Sequence, residues 1–454
     1  MAEDLPEDLF RRFADMVSDG LGLCFSADRR DSLRRGIQSV TAALGYPDAS
    51  AMARALLASP LTRDQSEAIA MHLTVGETYF FREREALEAL RKQELPDRTL
   101  RIWCAGCSTG EEAYSVAMIL DSIGHASSKI LATDINTHAL HIATEGVYGP
   151  WSFRATPDSL RDRYFTMEAD GRSRIDPRIR AMVDFTYHNL ARDPFPSLAN
   201  GTNAMDLILC RNVLFYFRPA LRKHVVEGFS RALVDGGWLV VGSVENQQIR
   251  SAGLAQTILR NAVLFRKSPG VREPAPPRAS HPADKAAGGR VHGHARNQPT
   301  HAKPTAHGAR KTTAPRPAET PDPAALAGAA RDLADKGELE TALRNCDAAL
   351  ALDKSNPAYH YLNASILQEL GRPEDAAGAL RRALYLDKGF VIARFAMGQV
   401  ARARGRKAEA RKHFTTALEM LGPYGESDLL PESEGITAGG LAVTLRHLLQ
   451  EEVP

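Results

Sequence analysis

The sequence predicts an α/β protein whose central sheet is preceded by helices and followed, after a linker, by an all-α array. Three observations support this fold class. Strand-like and helix-like segments alternate between residues 100 and 242, which is the pattern of an open parallel sheet covered by helices on both faces. A proline-rich stretch interrupts the chain at residues 269–322, and small residues then recur every 34 positions.

The first 90 residues are predicted to form an N-terminal helical domain. Apolar residues recur there at helical spacing, at Leu9, Phe10, Phe13, Met16 and Val17 and again at Leu33, Ile37, Val40 and Leu44. The acidic N-terminus has no apolar core of the kind that a secretory signal requires. No apolar run approaches the ~20 residues of a membrane span. We therefore expect a cytoplasmic protein without direct membrane insertion.

Residues 91–268 are predicted to carry the sheet. The predicted strands are residues 100–105, 129–134, 183–187, 205–210 and 238–242, and the predicted helices between them include residues 111–120 and 137–144. Residues 256–259 and 262–266 are predicted to close the sheet as an antiparallel hairpin. In a sheet of this kind, ligands bind at the carboxyl ends of the parallel strands.

The stretch 269–322 is predicted to be a disordered linker rich in proline, histidine and alanine. It holds 10 of the 26 prolines, and Val271 and Val291 are its only branched aliphatic residues. Such a composition cannot bury enough apolar surface to offset the entropy of ordering its backbone. Its His292-Gly293-His294 run lacks a neighbouring cysteine or carboxylate that would complete a ligand set, so we predict no metal site.

The residues after the linker are predicted to form three tetratricopeptide (TPR) repeats over 323–424. Four columns recur in phase with a 34-residue period, which is typical of this helix–turn–helix unit. The columns are Gly337, Gly371 and Gly405; Ala342, Ala376 and Ala410; Ala349, Ala383 and Ala417; and Leu350, Leu384 and Leu418. Residues 425–454 are predicted to end the array with a capping helix, at 439–449, and a tail.

Charge and cysteine content narrow the class of function. Fifty-seven basic residues against 55 acidic ones give a net charge of +2, which does not favour nucleic acid as a partner. The five cysteines are an odd number spread over 454 residues. This usage fits a reducing cytoplasm better than a secreted disulfide framework.

The loop at residues 104–110 admits four interpretations. Cys104 and Cys107 could form a redox or zinc pair. The Gly-x-Ser-x-Gly pattern around Ser108 matches the nucleophile turn of serine hydrolases, although helices rather than strands precede it. The loop could be a structural turn without a ligand. It could also be a nucleotide-type loop, in which glycines let the backbone approach a ligand beside the start of a helix.

Two acidic features favour the last interpretation. The helix after the loop opens with Glu111-Glu112, which would repel a phosphate but suits an ammonium group. The second predicted strand ends in Asp134, 24 residues after Gly110, where a carboxylate can accept hydrogen bonds from ribose hydroxyls. A ribose-bearing, cationic cofactor without phosphate fits these residues, and S-adenosyl-L-methionine has those properties.

Five motifs in order give a more specific resemblance. They are Thr78-Tyr79-Phe80-Phe81-Arg82, Cys107–Ser115, Ala132-Thr133-Asp134-Ile135, Asn189-Leu190 and Cys210–Phe217. With them, residues 5–268 resemble the CheR family of chemotaxis-receptor methyltransferases. The resemblance implies a Rossmann-like class I methyltransferase sheet. It also implies transfer of a methyl group from S-adenosyl-L-methionine to receptor glutamates, with γ-glutamyl methyl ester and S-adenosyl-L-homocysteine as products.

The same resemblance implies which residues form the site. Cofactor contacts are carried over to Thr78, Arg82, Glu112, Asp134, Asn189, Leu190, Arg211 and Asn212. Arg82 and Tyr216 are expected beside the transferred methyl group as catalytic residues. The expected partner is the cytoplasmic domain of a methyl-accepting chemoreceptor, to whose complexes the protein would be recruited. Family members with a C-terminal TPR array are known, so the array is expected to bind a further protein or regulate the enzyme.

Two other hypotheses remain open at this point. The chain could be a non-catalytic TPR scaffold of a chemosensory complex, although Arg82, Glu112, Asp134, Asn212 and Tyr216 are all intact. It could instead be a serine hydrolase that uses Ser108.

Overall fold

A computed structural model describes residues 5–25, 29–91, 95–96, 98–249, 253–259, 262–269 and 322–451. The sheet region and the C-terminal helices belong to one compact unit. Apart from its two end residues, the predicted linker 269–322 lies outside the described residues, as does the tip of the predicted hairpin at Arg260-Asn261.

Five helices precede the sheet, as the sequence predicts. They are α1 (Glu7–Leu21), α2 (Arg30–Ala43), α3 (Ala49–Ala58), α4 (Arg63–Leu73) and α5 (Arg84–Arg91). Side chains cap two of the helix starts, since Asp48 accepts from the Ala51 N–H and Thr62 forms a capping box with Gln65. The apolar stripes of the first four helices pack together in one core that includes Phe13.

The central sheet has seven strands, mostly parallel. They are β1 (Arg101–Ala105), β2 (Lys129–Asp134), β6 (Val183–Tyr187), β7 (Met205–Cys210), β8 (Leu233–Val241), β9 (Leu254–Leu259) and β10 (Ala262–Lys267). Their spatial order is β6-β2-β1-β7-β8-β10-β9, and only the pairs that β10 makes are antiparallel. The parallel pairing and the closing hairpin confirm the predicted sheet. β8 begins five residues before the predicted strand.

Helices α6 (Glu111–Ser122), α7 (Thr137–Glu145) and α10 (Pro219–Ala232) connect the strands. Apolar side chains on the two sheet faces form separate cores, one containing Tyr114 and the other containing Trp103 and Phe229. This double covering is why the strands read as continuous apolar runs in the sequence.

A second, three-stranded antiparallel sheet was not predicted from the sequence. It consists of β3 (Val147–Tyr148), β4 (Phe165–Met167) and β5 (Ser173–Ile175), with the short helices α8 (Asp158–Tyr164) and α9 (Pro177–Arg180) beside them. Strands of two or three residues are too short to show an alternating pattern.

The C-terminal helices form a TPR-like array. Three helix pairs are described, α11 (Pro323–Asp335) with α12 (Leu339–Leu352), α13 (Pro357–Glu369) with α14 (Pro373–Leu386), and α15 (Val391–Ala403) with α16 (Lys407–Met420). Gly337, Gly371 and Gly405 lie in the turns with φ between 70° and 78°, which non-glycine residues rarely adopt. The six predicted alanines are fully buried in the apolar core of the array.

One further helix, α17 (Ala438–Glu451), follows the array and packs against α16. It also packs against α7 and against β6, the edge strand of the central sheet. Covering an edge strand with a helix protects its unpaired backbone groups. Within the described residues, no helix is long and apolar enough to cross a membrane.

Candidate functional site

Several of the predicted site residues lie at or after the carboxyl ends of adjacent strands. The chain crosses from one side of β1 to the other between β6 and β7, which creates the crevice where open α/β sheets bind ligands. The loop of residues 106–110 follows β1, Asp134 ends β2, and Arg211 and Asn212 follow β7.

The glycines of the 106–110 loop allow its backbone to pass close to its neighbours. A Cβ at Gly106 would lie 2.4 Å from Val213 Cγ2, and one at Gly110 would lie 2.8 Å from Ala143 Cβ. Both glycines have positive φ, as does Ser108 at 50°. The loop is therefore bent so that Gly110 caps α6 and brings Glu111 and Glu112 to the crevice.

Asp134 organises the same loop from the end of β2. Its carboxylate accepts the Ser108 N–H at 2.8 Å and the Asn136 N–H at 2.9 Å. Burial raises the pKa of Asp134, and these two hydrogen bonds oppose that rise by stabilising the charged form. A buried carboxyl group at the end of a strand suits a ligand with hydroxyl donors.

A network of charged groups joins three of the loops. Arg211, whose side chain is 1% exposed, donates to Glu112 Oε2 at 2.7 Å and to the Arg82 carbonyl at 2.5 Å. Glu83 Oε2 lies 3.5 Å from the same guanidinium. Burial raises the pKa of Glu112, and the Arg211 charge opposes the rise. Arg211 thus fixes the segment containing Arg82 against the start of α6.

Tyr216 lies beside two arginines. It is half-buried, and burial raises the pKa of its hydroxyl while the charges of Arg29 and Arg82 oppose that rise. The Arg29 guanidinium lies 5.0 Å from the centre of the Tyr216 ring and 4.5 Å from that of Phe215. This pairing brings the start of α2 to the site, which the sequence motifs did not reveal.

Glu245 is a second residue that the sequence motifs did not assign. It is fully buried and accepts backbone N–H groups from Asn212 at 2.9 Å, Gly242 at 2.8 Å and Phe215 at 3.2 Å. Asn212 has a positive φ of 62°, and these hydrogen bonds hold the strained turn in place. Glu245 belongs to none of the five sequence motifs. Its three hydrogen-bond donors are backbone N–H groups, which no pattern of side chains in the sequence reveals.

The remaining predicted cofactor residues are Thr78, Asn189 and Leu190. Thr78 is half-buried in the segment between α4 and α5. The Asn189 side chain donates to the Gly20 carbonyl at 3.0 Å and accepts the Ala191 N–H at 2.9 Å, so it ties the loop after β6 to α1. Leu190 packs its side chain in the core around Trp103, which leaves its backbone for any ligand contact.

The structure does not favour the redox or hydrolase interpretations of the loop. Burial raises the pKa of the Cys104 and Cys107 thiols well above the usual range, which suppresses the reactive thiolate. The Ser108 hydroxyl is buried, and in the described part of the chain it has no hydrogen-bond partner, whereas a nucleophilic serine needs a contact to a base.

The buried side chains fit S-adenosyl-L-methionine. Ser108 Oγ and Arg211 Nε are buried polar atoms without a hydrogen-bond partner in the described structure, as expected where a polar ligand completes a site. Carboxylates and guanidinium groups stand together at the crevice, which matches a cofactor that carries a cation, a carboxylate and ribose hydroxyls. Across the described residues, no group of three or more potential metal ligands is found.

Proteins similar in sequence to this chain include several methyltransferases. The family described as "CheR methyltransferase, SAM binding domain" matches residues 76–259. Chemotaxis protein methyltransferase 2 of Vibrio cholerae is 35% identical over 222 residues, which cover 46% of this chain and 74% of that protein. The chemotaxis protein methyltransferase of Listeria monocytogenes is 31% identical over 54% of this chain and 92% of its own length.

A further relative extends over the C-terminal helices. The "Probable biofilm formation methyltransferase WspC" of Pseudomonas aeruginosa is 27% identical over 413 residues, which cover 88% of this chain and 96% of that protein. The strand-end site and these matches together lead to one conclusion: the chain belongs to the CheR family of methyltransferases.

Proposed function

We propose that the chain transfers a methyl group from S-adenosyl-L-methionine to glutamate side chains of a chemoreceptor-like protein, giving γ-glutamyl methyl esters. The observation that carries this proposal is the buried contact of Arg211 with Glu112 and the Arg82 carbonyl. Tyr216 lies near Arg82, and Asp134 is bonded to the loop that precedes Glu112. Together these residues combine acidic groups for a cationic cofactor with arginines that can hold a carboxylate substrate.

The cofactor would be held by Thr78, Arg82, Glu112, Asp134, Asn189, Leu190, Arg211 and Asn212. Asp134 would accept the ribose hydroxyls, and Glu112 would neutralise the ammonium group. When bound, S-adenosyl-L-methionine supplies a methyl group on a positively charged sulfur. The site excludes water from these charges by burying Arg211 and Glu245, which strengthens the electrostatic interactions there.

Arg82 and Tyr216 would position the substrate glutamate. Its carboxylate is already ionised near neutral pH, so no general base is required. The chain must instead align the carboxylate oxygen with the methyl group, and alignment of this kind can lower a barrier by about 7–11 kcal/mol. Arg82 would orient the carboxylate by a charge-assisted hydrogen bond, and Tyr216 would orient it with its hydroxyl.

The names of the relatives support a receptor as substrate. Two of them are chemotaxis protein methyltransferases and one is a biofilm formation methyltransferase. We propose the cytoplasmic domain of a chemoreceptor as the partner, with recruitment of this chain to the receptor complex. We also propose that the TPR-like array, over residues 323–424, binds a further protein or regulates the enzyme.

The test combines cofactor binding with methyl transfer. Full-length protein should bind S-adenosyl-L-methionine in calorimetry and should transfer a radiolabelled methyl group to receptor cytoplasmic fragments as a label that mild alkali releases. Asp134→Asn should weaken cofactor binding strongly, whereas the exposed Asp158→Asn is the matched control. Unchanged affinity in Asp134→Asn would remove the ribose assignment. Cofactor binding without any label on a receptor panel would favour the scaffold hypothesis.

A further inference from the structure

A turn after the TPR-like array reaches into the methyltransferase sheet region. We call residues 429–437 the acidic turn, because it contains Glu432 and Glu434 and is closed by a bridge between Leu429 and Thr437. The Glu434 carboxylate accepts the Ser197 hydroxyl at 2.7 Å and the Leu198 N–H at 2.9 Å. These partners lie 237 and 236 positions earlier in the chain.

The acidic turn is fixed on the side of the array. Arg331 of α11 donates to Glu432 at 2.7 Å, and Leu430 and Ile436 belong to the apolar core of the array. The Ser433 hydroxyl is fully buried and donates within the turn to the Leu430 carbonyl at 2.7 Å. Glu432 and Glu434 both have positive φ, at 56° and 59°. Such a backbone persists only where surrounding contacts hold it.

The segment that receives Glu434, residues 193–203, begins shortly after the proposed cofactor residues Asn189 and Leu190. We call it the 193–203 loop. Its Ser197, Thr202 and Asn203 are fully buried. Leu198 and Ala199 pack their side chains into the apolar core of the array rather than into either core of the sheet. The loop is therefore anchored by the array.

Contacts with the residues after Glu434 continue along the loop toward the site. A Cβ at Gly435 would lie 3.5 Å from Pro194, and one at Gly440 would lie 3.3 Å from Asp193 Oδ1. The other oxygen of Asp193 accepts the Asn189 N–H at 2.6 Å, and the Asp193 N–H donates to the Asn189 carbonyl at 2.8 Å. Short hydrogen bonds thus connect Asp193, which lies close to Gly440, to the backbone of Asn189.

We propose that Glu434 is a positioning residue for the cofactor site. Through Ser197 and Leu198 it anchors the 193–203 loop, whose Asp193 holds the backbone of Asn189 and Leu190 in the geometry that binds the cofactor. The TPR-like array is then a structural part of the cofactor site, and whatever moves the acidic turn changes cofactor affinity. This inference rests on the proposed function, since it assigns Asn189 and Leu190 to the cofactor.

The decisive experiment measures the Kd of S-adenosyl-L-homocysteine for the full-length chain by calorimetry. Glu434→Ala leaves the buried Ser197 and Leu198 donors without an acceptor and should weaken binding at least about fivefold, the lower end of typical coupling between sites. Glu434→Gln keeps an acceptor oxygen but loses the charge, so its effect should be smaller and in the same direction. If Glu434→Ala does not fold, the Kd of Glu434→Gln still tests the inference.

Two controls separate positioning from general loss of structure. Glu426→Gln changes an exposed glutamate just before the acidic turn and should leave the Kd of S-adenosyl-L-homocysteine unchanged. Ser197→Ala combined with Glu434→Ala should cost less in affinity than the sum of the two single variants, because the two side chains share one hydrogen bond. A merely structural role would lower the unfolding temperature without changing the Kd of the folded protein.

Amide hydrogen exchange decides the inference without any ligand. In Glu434→Ala the amides of Asn189, Arg192 and Asp193 should exchange faster than in the wild type, because their hydrogen bonds lie within the loosened segment. Unchanged exchange and unchanged affinity would overturn the inference while leaving the proposed function intact. If the wild-type chain binds no cofactor, the proposed function fails, and the exchange rates alone decide whether Glu434 holds the loop.

Discussion

The candidate site around Arg211, Glu112 and Glu245, which we call the pocket, and the TPR-like array bury opposite kinds of residue. The array buries alanines in its core, with Ala342, Ala376 and Ala383 fully shielded. The pocket buries ionisable groups instead, with Arg211 at 5% and Glu245 at 0% exposure. Close apolar packing stabilises the array directly, whereas each buried ion costs several kcal/mol unless it is paired. The comparison shows that complete hydrogen-bond networks stabilise the pocket, whereas close packing of apolar side chains stabilises the array.

The largest expected effect comes from breaking the network of the pocket. Arg211→Leu would leave Glu112 buried without its 2.7 Å partner and should destabilise the fold by about 3–5 kcal/mol. Adding Glu112→Gln should recover part of this loss, because the uncompensated charge is removed. Denaturant unfolding of both variants measures the effect. A loss below about 1 kcal/mol in the single variant would show that the pocket tolerates an unpaired charge.

Overpacking tests the array. Ala383→Leu adds bulk at a fully buried position of α14 in the core of the array and should destabilise the protein by about 1–3 kcal/mol. Arg382→Leu, at the exposed neighbouring position, is the control for helix propensity. Thermal unfolding measures both variants. Equal unfolding temperatures would mean that the core around Ala383 has room for the larger side chain.

Acidification should weaken cofactor binding, because the pocket carboxylates act in their charged forms. Burial raises the pKa of both Glu112 and Asp134 above their ordinary values of 4.5 and 3.8. Affinity should therefore fall as the pH decreases through the raised pKa values, by at most about tenfold per pH unit for each proton taken up. Calorimetry at several pH values measures whether the affinity falls as the pH decreases. Glu112→Gln should remove the part of the dependence that Glu112 causes.

The smallest effect is expected at an exposed ion pair. Lys223 and Glu227 lie 3.7 Å apart on α10, with Lys223 72% exposed. Lys223→Ala should change the free energy of unfolding by only about 0.3–0.5 kcal/mol. A change above about 1 kcal/mol, measured by denaturant unfolding, would contradict the view that charge matters chiefly where it is buried.

Repeating patterns made the framework predictable from the sequence. The spacing of Gly337, Gly371 and Gly405 predicted the turns of the array, and the runs at β2, β6 and β7 predicted strands at the residues where they occur. Asp134 was singled out because it ends a strand. These features are local or periodic, so each is encoded by neighbouring residues.

Contacts between distant segments were decided only by the tertiary structure. Arg29 beside Tyr216, Glu245 on the turn of Asn212, and Glu434 on Ser197 join segments that no periodic pattern relates. The sequence by itself determined the central sheet, the helical array and the strand-end position of the candidate site. The tertiary structure decided which charged and polar side chains meet there, because burial requires each of them to find a partner wherever the folded chain provides one.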